Sequence, residues 1–372
     1  MRSDLLQRKF ILATFVILKT NSSVDGWDSA GGDRISTKTN SSDNNRESAG
    51  GSPTSYMPEL PEVETIRRQL FKEVTGKRIK SVEIKLPKMV YFDGRRSDVK
   101  NFKKSLEGAR ITKADRAAKI LIIELSNGYT LLIHLKLTGQ LIYRAKNGEI
   151  KRSNAVSVPN KWTHAIIHFT DGSKLYFNDL RQFGYLKLIE TKKIGEQKEL
   201  KKLGPEPLDK SFTIKKFSEM LARRPKAKIK PLLLDQNFLS GVGNIYAEES
   251  LFYAGVLPTR PAGKLKPVEI KKLYQGIKTI LQKSIAHGGT SSDTYVTLSG
   301  RKGGYEKYLK VYGREGEKCK RGRHTTTAPL SLFAGGRHTT TAPLSLFAGC
   351  GGIIKRIKLG SRSAHFCPKC QI

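Results

Sequence analysis

The sequence predicts an α+β multidomain chain: an N-terminal antiparallel β-sandwich with flanking helices, then a helical domain, then a small metal-bound module. Three observations carry this. Short apolar segments punctuated by turn dipeptides run from Ile79 to Phe177, the pattern of a sandwich. Apolar residues at three- and four-residue steps dominate from Phe217 to Ala286, the pattern of packed helices. All four cysteines, Cys319, Cys350, Cys367 and Cys370, lie in the last 54 of 372 residues.

Residues 1–56 read as a disordered or spurious N-terminal extension. From residue 20 they are rich in Ser, Thr, Asn, Gly and Asp, too poor in large apolar groups to offset ordering entropy. The apolar run Phe10 to Leu18 has nine residues, too few to span a bilayer, and no small-residue cleavage site follows it. The pattern then changes. Leu60, Val63, Ile66, Leu70 and Val74 define an amphipathic helix with Pro61 in its first turn. Strands are expected at Ile79 to Ile84, Ile120 to Leu125, Tyr129 to Leu135, Ala165 to Phe169 and Lys174 to Phe177, with turns at Ser126-Asn127-Gly128 and Asp171-Gly172. A polar connector, Glu190 to Lys202, reads as a hinge. Helices follow around Phe217, at Ile229 to Leu234, at Ile245 to Tyr253 stopped by Gly255, and at Val268 to Ala286 stopped by Gly288. Between two of them, Gln236 to Asn244 carries three residues suited to an anion: Gly241 and Gly243 for close approach, and Asn244 to cap the next helix while its N–H groups face phosphate.

Charge narrows the partner. Residues 1–56 hold 7 Lys/Arg against 6 Asp/Glu, which leaves +34 of the formal +35 downstream. A pI near 10.0 points to a polyanion, nucleic acid first. A membrane-surface role would require a basic amphipathic helix or a lipidation signal, and the sequence offers neither.

The stretch Met57-Pro58-Glu59-Leu60-Pro61-Glu62 reads like the start of an enzyme. With Met57 removed, Pro58 is a secondary amine, nucleophilic toward an aldehyde-like carbon, with Glu59 beside it to move protons. Inside a longer chain the same nitrogen is an amide without a basic lone pair. The sequence therefore predicts a working nucleophile if the chain starts at Met57 and none if it starts at Met1.

Gly322 to Gly335 and Gly336 to Gly349 are identical fourteen-residue copies. Removing both brings Cys319 and Cys350 into a C-x2-C pair, and with Cys367 and Cys370 yields C-x2-C-x16-C-x2-C, a four-thiolate zinc signature. Lengthening that loop from 2 to 30 residues costs roughly 2.4 kcal/mol of closure entropy. Structural zinc contributes about 10–16 kcal/mol. Zinc binding is therefore expected to survive, with His324, His338 and His365 as weaker competing ligands.

Specific stretches now carry a resemblance: PELPEVET from Pro58, AKILIIEL from Ala118, IHLKLTGQL from Ile133, DLRQFGYL from Asp179, LGPEPL from Leu203, KPLLLDQNFLSGVGNIYAEESLF from Lys230, GGT at Gly288, VYGREGE from Val311 and the terminal HFCPKCQ. From Met57 to Gln371 the chain resembles the formamidopyrimidine-DNA glycosylases, bifunctional enzymes of base-excision repair. The resemblance implies a catalytic sandwich at 57–189, a linker at 190–205, a helix-two-turn-helix domain at 206–310 and a zinc-finger β-hairpin at 311–372 interrupted by the duplication at 322–349. It implies Pro58 as Schiff-base nucleophile, Glu59 as acid/base, Lys119 as proton donor in β-elimination and Arg362 as the finger arginine of phosphate gripping and δ-elimination. Leu137, Arg181 and Phe183 fall at void-filling positions, and Lys226, Lys230 and Asn244 at phosphate contacts. Thr290 to Tyr305 matches a mobile lid, and Trp162 stands near a DNA-contacting histidine of relatives, with His164 two residues on. The implied partner is double-stranded DNA containing oxidised bases, the cofactor one structural zinc ion, the assembly a monomer and the setting a bacterial-type cytoplasm and nucleoid. Two rivals remain: an endonuclease VIII-like enzyme for oxidised pyrimidines, against which Leu60 speaks, and a catalytically silent DNA-binding protein.

Overall fold

In the computed structural model, residues 57–146, 156–291, 294–321 and 350–372 are described; the expectations for residues 1–56 and 322–349, His324 and His338 included, lie outside them. Helix α1, Leu60–Val74, starts where the sequence placed it. Pro61 sits in the first turn, where a missing N–H is harmless, and the Glu62 carboxylate reaches back to accept the Glu59 N–H at 2.9 Å. Its apolar stripe, Leu60, Val63, Ile66, Leu70 and Val74, is fully buried.

Two sheets follow. One has β1 (Ile79–Ile84), β8 (Thr163–Phe169), β9 (Lys174–Asp179) and β7 (Gly139–Arg144) in that order. The other runs β3 (Arg95–Arg96), β2 (Val90–Phe92), β10 (Tyr185–Glu190), β6 (Tyr129–His134), β5 (Ile120–Leu125) and β4 (Ile111–Ala117). Facing residues such as Val82, Ile123, Ile133, Phe169 and Phe177 fill the space between the sheets together with α1. Every pair is antiparallel except β2 with β10, where Val90 and Phe92 oppose Leu186 and Leu188 in parallel. That exception is possible because the long chain between them supplies the crossover that parallel pairing requires. Helix α2, Val99–Leu106, is capped by Asp98, whose side chain accepts from Asn101 N at 3.2 Å, and buries Phe102 and Leu106.

The connector is not a bare hinge. It forms a 3-10 turn, Thr191–Glu196, and a short helix α3, Lys198–Lys201. Its two apolar side chains, Ile194 and Leu200, pack on Ile120, Leu132 and Ile189 of the six-stranded sheet. Polar composition concealed that contact.

Helices α4 (Ile214–Ala222), α5 (Ile229–Leu234), α6 (Asn244–Ala254) and α7 (Pro267–Ala286) build a second core around Phe217, Leu233, Tyr246, Leu273 and Ile277. Helix α6 is buried along almost its whole length and stops at Gly255, whose φ of 75° is the left-handed cap that glycine adopts freely. The last module is the hairpin β11 (Lys355–Leu359) and β12 (Arg362–Phe366), with Leu359 opposite Arg362. Phe252 of α6 and Val311 pack against its cysteines.

Candidate active site and nucleic-acid interface

The Gln236–Asn244 turn meets the start of α1. Leu60 N donates to Gly241 O at 3.0 Å, and a Cβ on Gly241, at φ +86°, would lie 2.5 Å from Leu60 Cδ1. The Glu59 carboxylate accepts from Gly243 N at 2.7 Å and Ile245 N at 3.0 Å. The free N–H groups at the head of α6 are thus capped by a carboxylate from the other domain, where the helix end favours negative charge. This corrects the expectation for Asn244. Gly243 is the N-cap, Asn244 is the first helical residue, and the buried Asn244 Oδ1 has no hydrogen-bond partner.

Glu59, only 3% exposed, has its pKa raised by burial, against the opposing pull of Lys119 and the backbone N–H groups. Lys119 is buried and donates to Val242 O at 3.1 Å. Burial lowers its pKa; the Glu59 charge opposes this, while the Arg362 charge adds to it. Pro58 is buried as well. The structure therefore brings Glu59 and Lys119 to the two ends of one peptide unit, Val242–Gly243, with Arg362 inside the same electrostatic neighbourhood.

Sequence reasoning gave no role to Glu62. It accepts from Glu59 N and from Thr290 N at 2.8 Å, and from the Tyr246 hydroxyl. Burial, then the Glu59 charge, pushes its pKa up to about 7. The spacing Glu59-x-x-Glu62 was the available signal, since it is the reach of a capping box. Arg116 was missed too. Its guanidinium bridges Glu64 at 2.8 Å and Glu206 at 2.6 Å, joining α1 to the segment after the connector.

The expected void-filling residues sit on two loops organised by Asp179. Asp179 is fully buried and accepts from Thr138, from Arg181 N at 3.2 Å and from Gly184 N at 2.7 Å. Leu137, beside Thr138, is half-buried. Phe183 is 54% exposed with the Arg181 guanidinium 5.2 Å from its ring centre. An aromatic ring that exposed on a strained turn, with Gln182 at φ 57°, is positioned for a partner rather than a core. Trp162 is half-exposed, with Lys161 Nζ 4.9 Å from its ring. His164 is buried against Asp179 O at 2.8 Å, a structural place.

The two lysine expectations part. Lys226 is exposed, as a phosphate contact requires. Lys230 is 1% exposed and holds Glu248 at 2.6 Å and Ser363 O; its ammonium faces a buried carboxylate and not solvent. The lid segment is seated: Tyr295 and Leu298 enter the sandwich core, Leu298 N donates to Gln69 Oε1 at 2.8 Å and Tyr143 N to Leu298 O at 2.8 Å. Residues 292–293 of that segment lie outside the described ones.

The four cysteine sulfurs all lie within 4.8 Å of one another. Cys319 and Cys370 are 3.7 Å apart and Cys350 and Cys367 3.5 Å, close to the edge of about 3.8 Å for a tetrahedron with Zn–S near 2.3 Å. A Cβ on Gly352 would come 2.5 Å from Cys367 Sγ, so the glycine makes room for the sulfurs. Despite the 28 intervening residues, Cys350 N donates to Arg321 O at 2.9 Å and Cys319 N to Gly352 O at 2.8 Å. The set fits one zinc ion, closed to water and so structural. His365 is not part of it, being held by Glu248 at 2.8 Å.

Three family profiles match the chain: the formamidopyrimidine-DNA glycosylase N-terminal domain over residues 57–186, the formamidopyrimidine-DNA glycosylase H2TH domain over 203–296, and the zinc finger found in FPG and IleRS over 350–372. The formamidopyrimidine-DNA glycosylase of Pelotomaculum thermopropionicum is 39% identical over 315 residues, covering 85% of this chain and 99% of that one. That of Heliobacterium modesticaldum is 41% identical over 316 residues, covering 85% and 100%. A solved complex of the Lactococcus lactis Fpg with DNA containing an abasic site is similar at a TM-score of 0.68, with 34% identity, 84% of this chain and 99% of that one covered. With the carboxylate-capped domain junction and the four-cysteine finger, these matches show that the chain belongs to the formamidopyrimidine-DNA glycosylase family.

Proposed function

We propose that the chain excises oxidised purines, 8-oxoguanine and formamidopyrimidines, from duplex DNA and cuts the abasic strand by β,δ-elimination. The single observation carrying this reading is the buried junction at which Glu59 and Lys119 bracket the Val242–Gly243 peptide unit, beside Pro58. As an N-terminal amine, Pro58 attacks the sugar C1′ of an extruded nucleotide, and the glycosidic bond breaks with its electron pair leaving on the base. Glu59 holds a proton more firmly than an ordinary carboxyl, which suits donation to the opening sugar ring. Lys119 releases its proton more readily than an ordinary lysine, which suits donation to a leaving phosphate oxygen. Asn244, Lys226 and Arg362 face the strand's phosphates, and Leu137, Arg181 and Phe183 enter the vacated duplex. Zinc keeps the finger folded and takes no part in the chemistry. The complexes of the Lactococcus lactis relative with DNA support a DNA partner. We infer a monomer working in a bacterial-type cytoplasm, consistent with bacterial relatives.

Borohydride trapping tests the reading. Protein beginning at Pro58 is expected to form a covalent adduct with an 8-oxoguanine duplex, weakened sharply by Pro58→Gly, and protein retaining Met57 is expected to form none. No adduct from the first protein sinks the proposal, and an adduct only with an oxidised pyrimidine transfers the chain to the endonuclease VIII-like class.

A further inference from the structure

Three charged or polar side chains outside the catalytic junction are buried together where α5, α6 and the finger meet. Lys230 is 1% exposed, Glu248 0% and His365 3%. Glu248 divides its two oxygens, Oε1 to Lys230 Nζ at 2.6 Å and Oε2 to His365 Nδ1 at 2.8 Å. Lys230 donates a second time, to the backbone oxygen of Ser363, the neighbour of Arg362. Two contacts therefore pin β12 at successive points, one beside Arg362 and one three residues on. Burying such a pair is expensive and adds little net stability compared with an apolar replacement, so its use is more readily understood as fixing register.

Helix α6 supplies what the register is measured against. Asn244, Glu248 and Phe252 recur at four-residue steps and share one face. Asn244 is the first residue of the helix, Glu248 carries the pin, and Phe252 packs into the cysteine cluster. The adjacent Glu249 accepts from Lys310 N, Val311 N and Tyr312 N at 2.9 to 3.0 Å, holding the chain that enters the finger; the Tyr312 ring lies edge-on to His365 at 5.4 Å.

We propose that Lys230, Glu248 and His365 form a positioning relay that sets the Arg362 guanidinium at a fixed distance from Asn244, so that the two phosphate grips engage one DNA strand in register. His365 is then a positioning residue for the elimination steps and not a zinc ligand. This rests on the function proposed above for Arg362, and the test separates the two. His365→Phe keeps the ring volume and leaves Glu248 Oε2 without a donor; His365→Asn returns a side-chain N–H near the Nδ1 position. Both are prepared in protein beginning at Pro58, with zinc content and melting temperature measured alongside.

With one zinc per chain in each variant, His365→Phe is expected to lower the rate of δ-elimination, read as conversion of the first cleavage product to the second, by about tenfold or more. Borohydride trapping on a preformed abasic site, at protein concentrations that saturate the duplex, stays near wild type, and His365→Asn restores most of the loss in elimination. The dissociation constant for a duplex with a stable abasic analogue is expected to rise with Phe and recover with Asn, a comparison that holds even if wild type forms no adduct. Such a wild-type failure overturns the catalytic reading alone. The relay is overturned by zinc-loaded His365→Phe that matches wild type within twofold in both product ratio and affinity, or by losses of trapping, elimination and melting temperature in parallel, which mark a purely structural contact.

Discussion

At the scale of single residues, acidic side chains do the joining. Glu59 caps a helix of the other domain, Glu62 ties that cap to Tyr246 and Thr290, and Glu248 ties the helix to the finger. Glu62 gives this a pH signature. Its folded value, about 7, lies above that of an ordinary carboxyl, so the fold keeps a proton that the unfolded chain has already released. Its stabilising contribution is complete below the ordinary carboxyl range, near 4.3, and is lost as pH rises through 7. Wild-type melting temperature is expected to fall across that window more steeply than that of Glu62→Gln. Equal slopes in the two proteins would contradict it. Gly243 shows how little room the junction leaves, since a Cβ there would sit 2.3 Å from Glu59 Cδ.

At the scale of elements, the finger makes the sharpest prediction. Deleting residues 322–349 is expected to leave one zinc per chain, extracted by a chelator no faster than from the full chain, because roughly 2.4 kcal/mol of loop-closure entropy is removed and the cysteines already converge. Zinc loss on deletion would refute this. Much of the architecture was legible wherever pattern and burial coincide: α1, β1 and β5 have the bounds their apolar periodicity implied. Shorter pieces were not. β2 and β3 have three and two residues, too few for a period to register, and α2 shows only Phe102 and Leu106 on its buried side. The parallel pairing of β2 with β10 is a tertiary fact with no local trace. In the site, residue types are readable but burial is not: Lys230 has the residue type of a phosphate contact, and only the fold sets Glu248 opposite it.

For the molecule as a whole, charge and closure act together. A downstream net charge of +34 implies DNA affinity that falls steeply with salt. Lys226→Ala is expected to reduce the slope of log K against log salt by about 0.9, the share of one phosphate contact on duplex DNA; an unchanged slope would remove Lys226 from the interface. The hydrogen bond from Cys350 N to Arg321 O has a consequence for how such a protein tolerates change. The duplicated segment leaves and rejoins the fold at a single point, so its length is decoupled from the geometry of the sulfurs. Additions or losses of the fourteen-residue unit at that point are expected to leave the spacing of the four sulfurs unchanged, and the same point is a natural port for grafting an affinity tag or a fluorescent reporter.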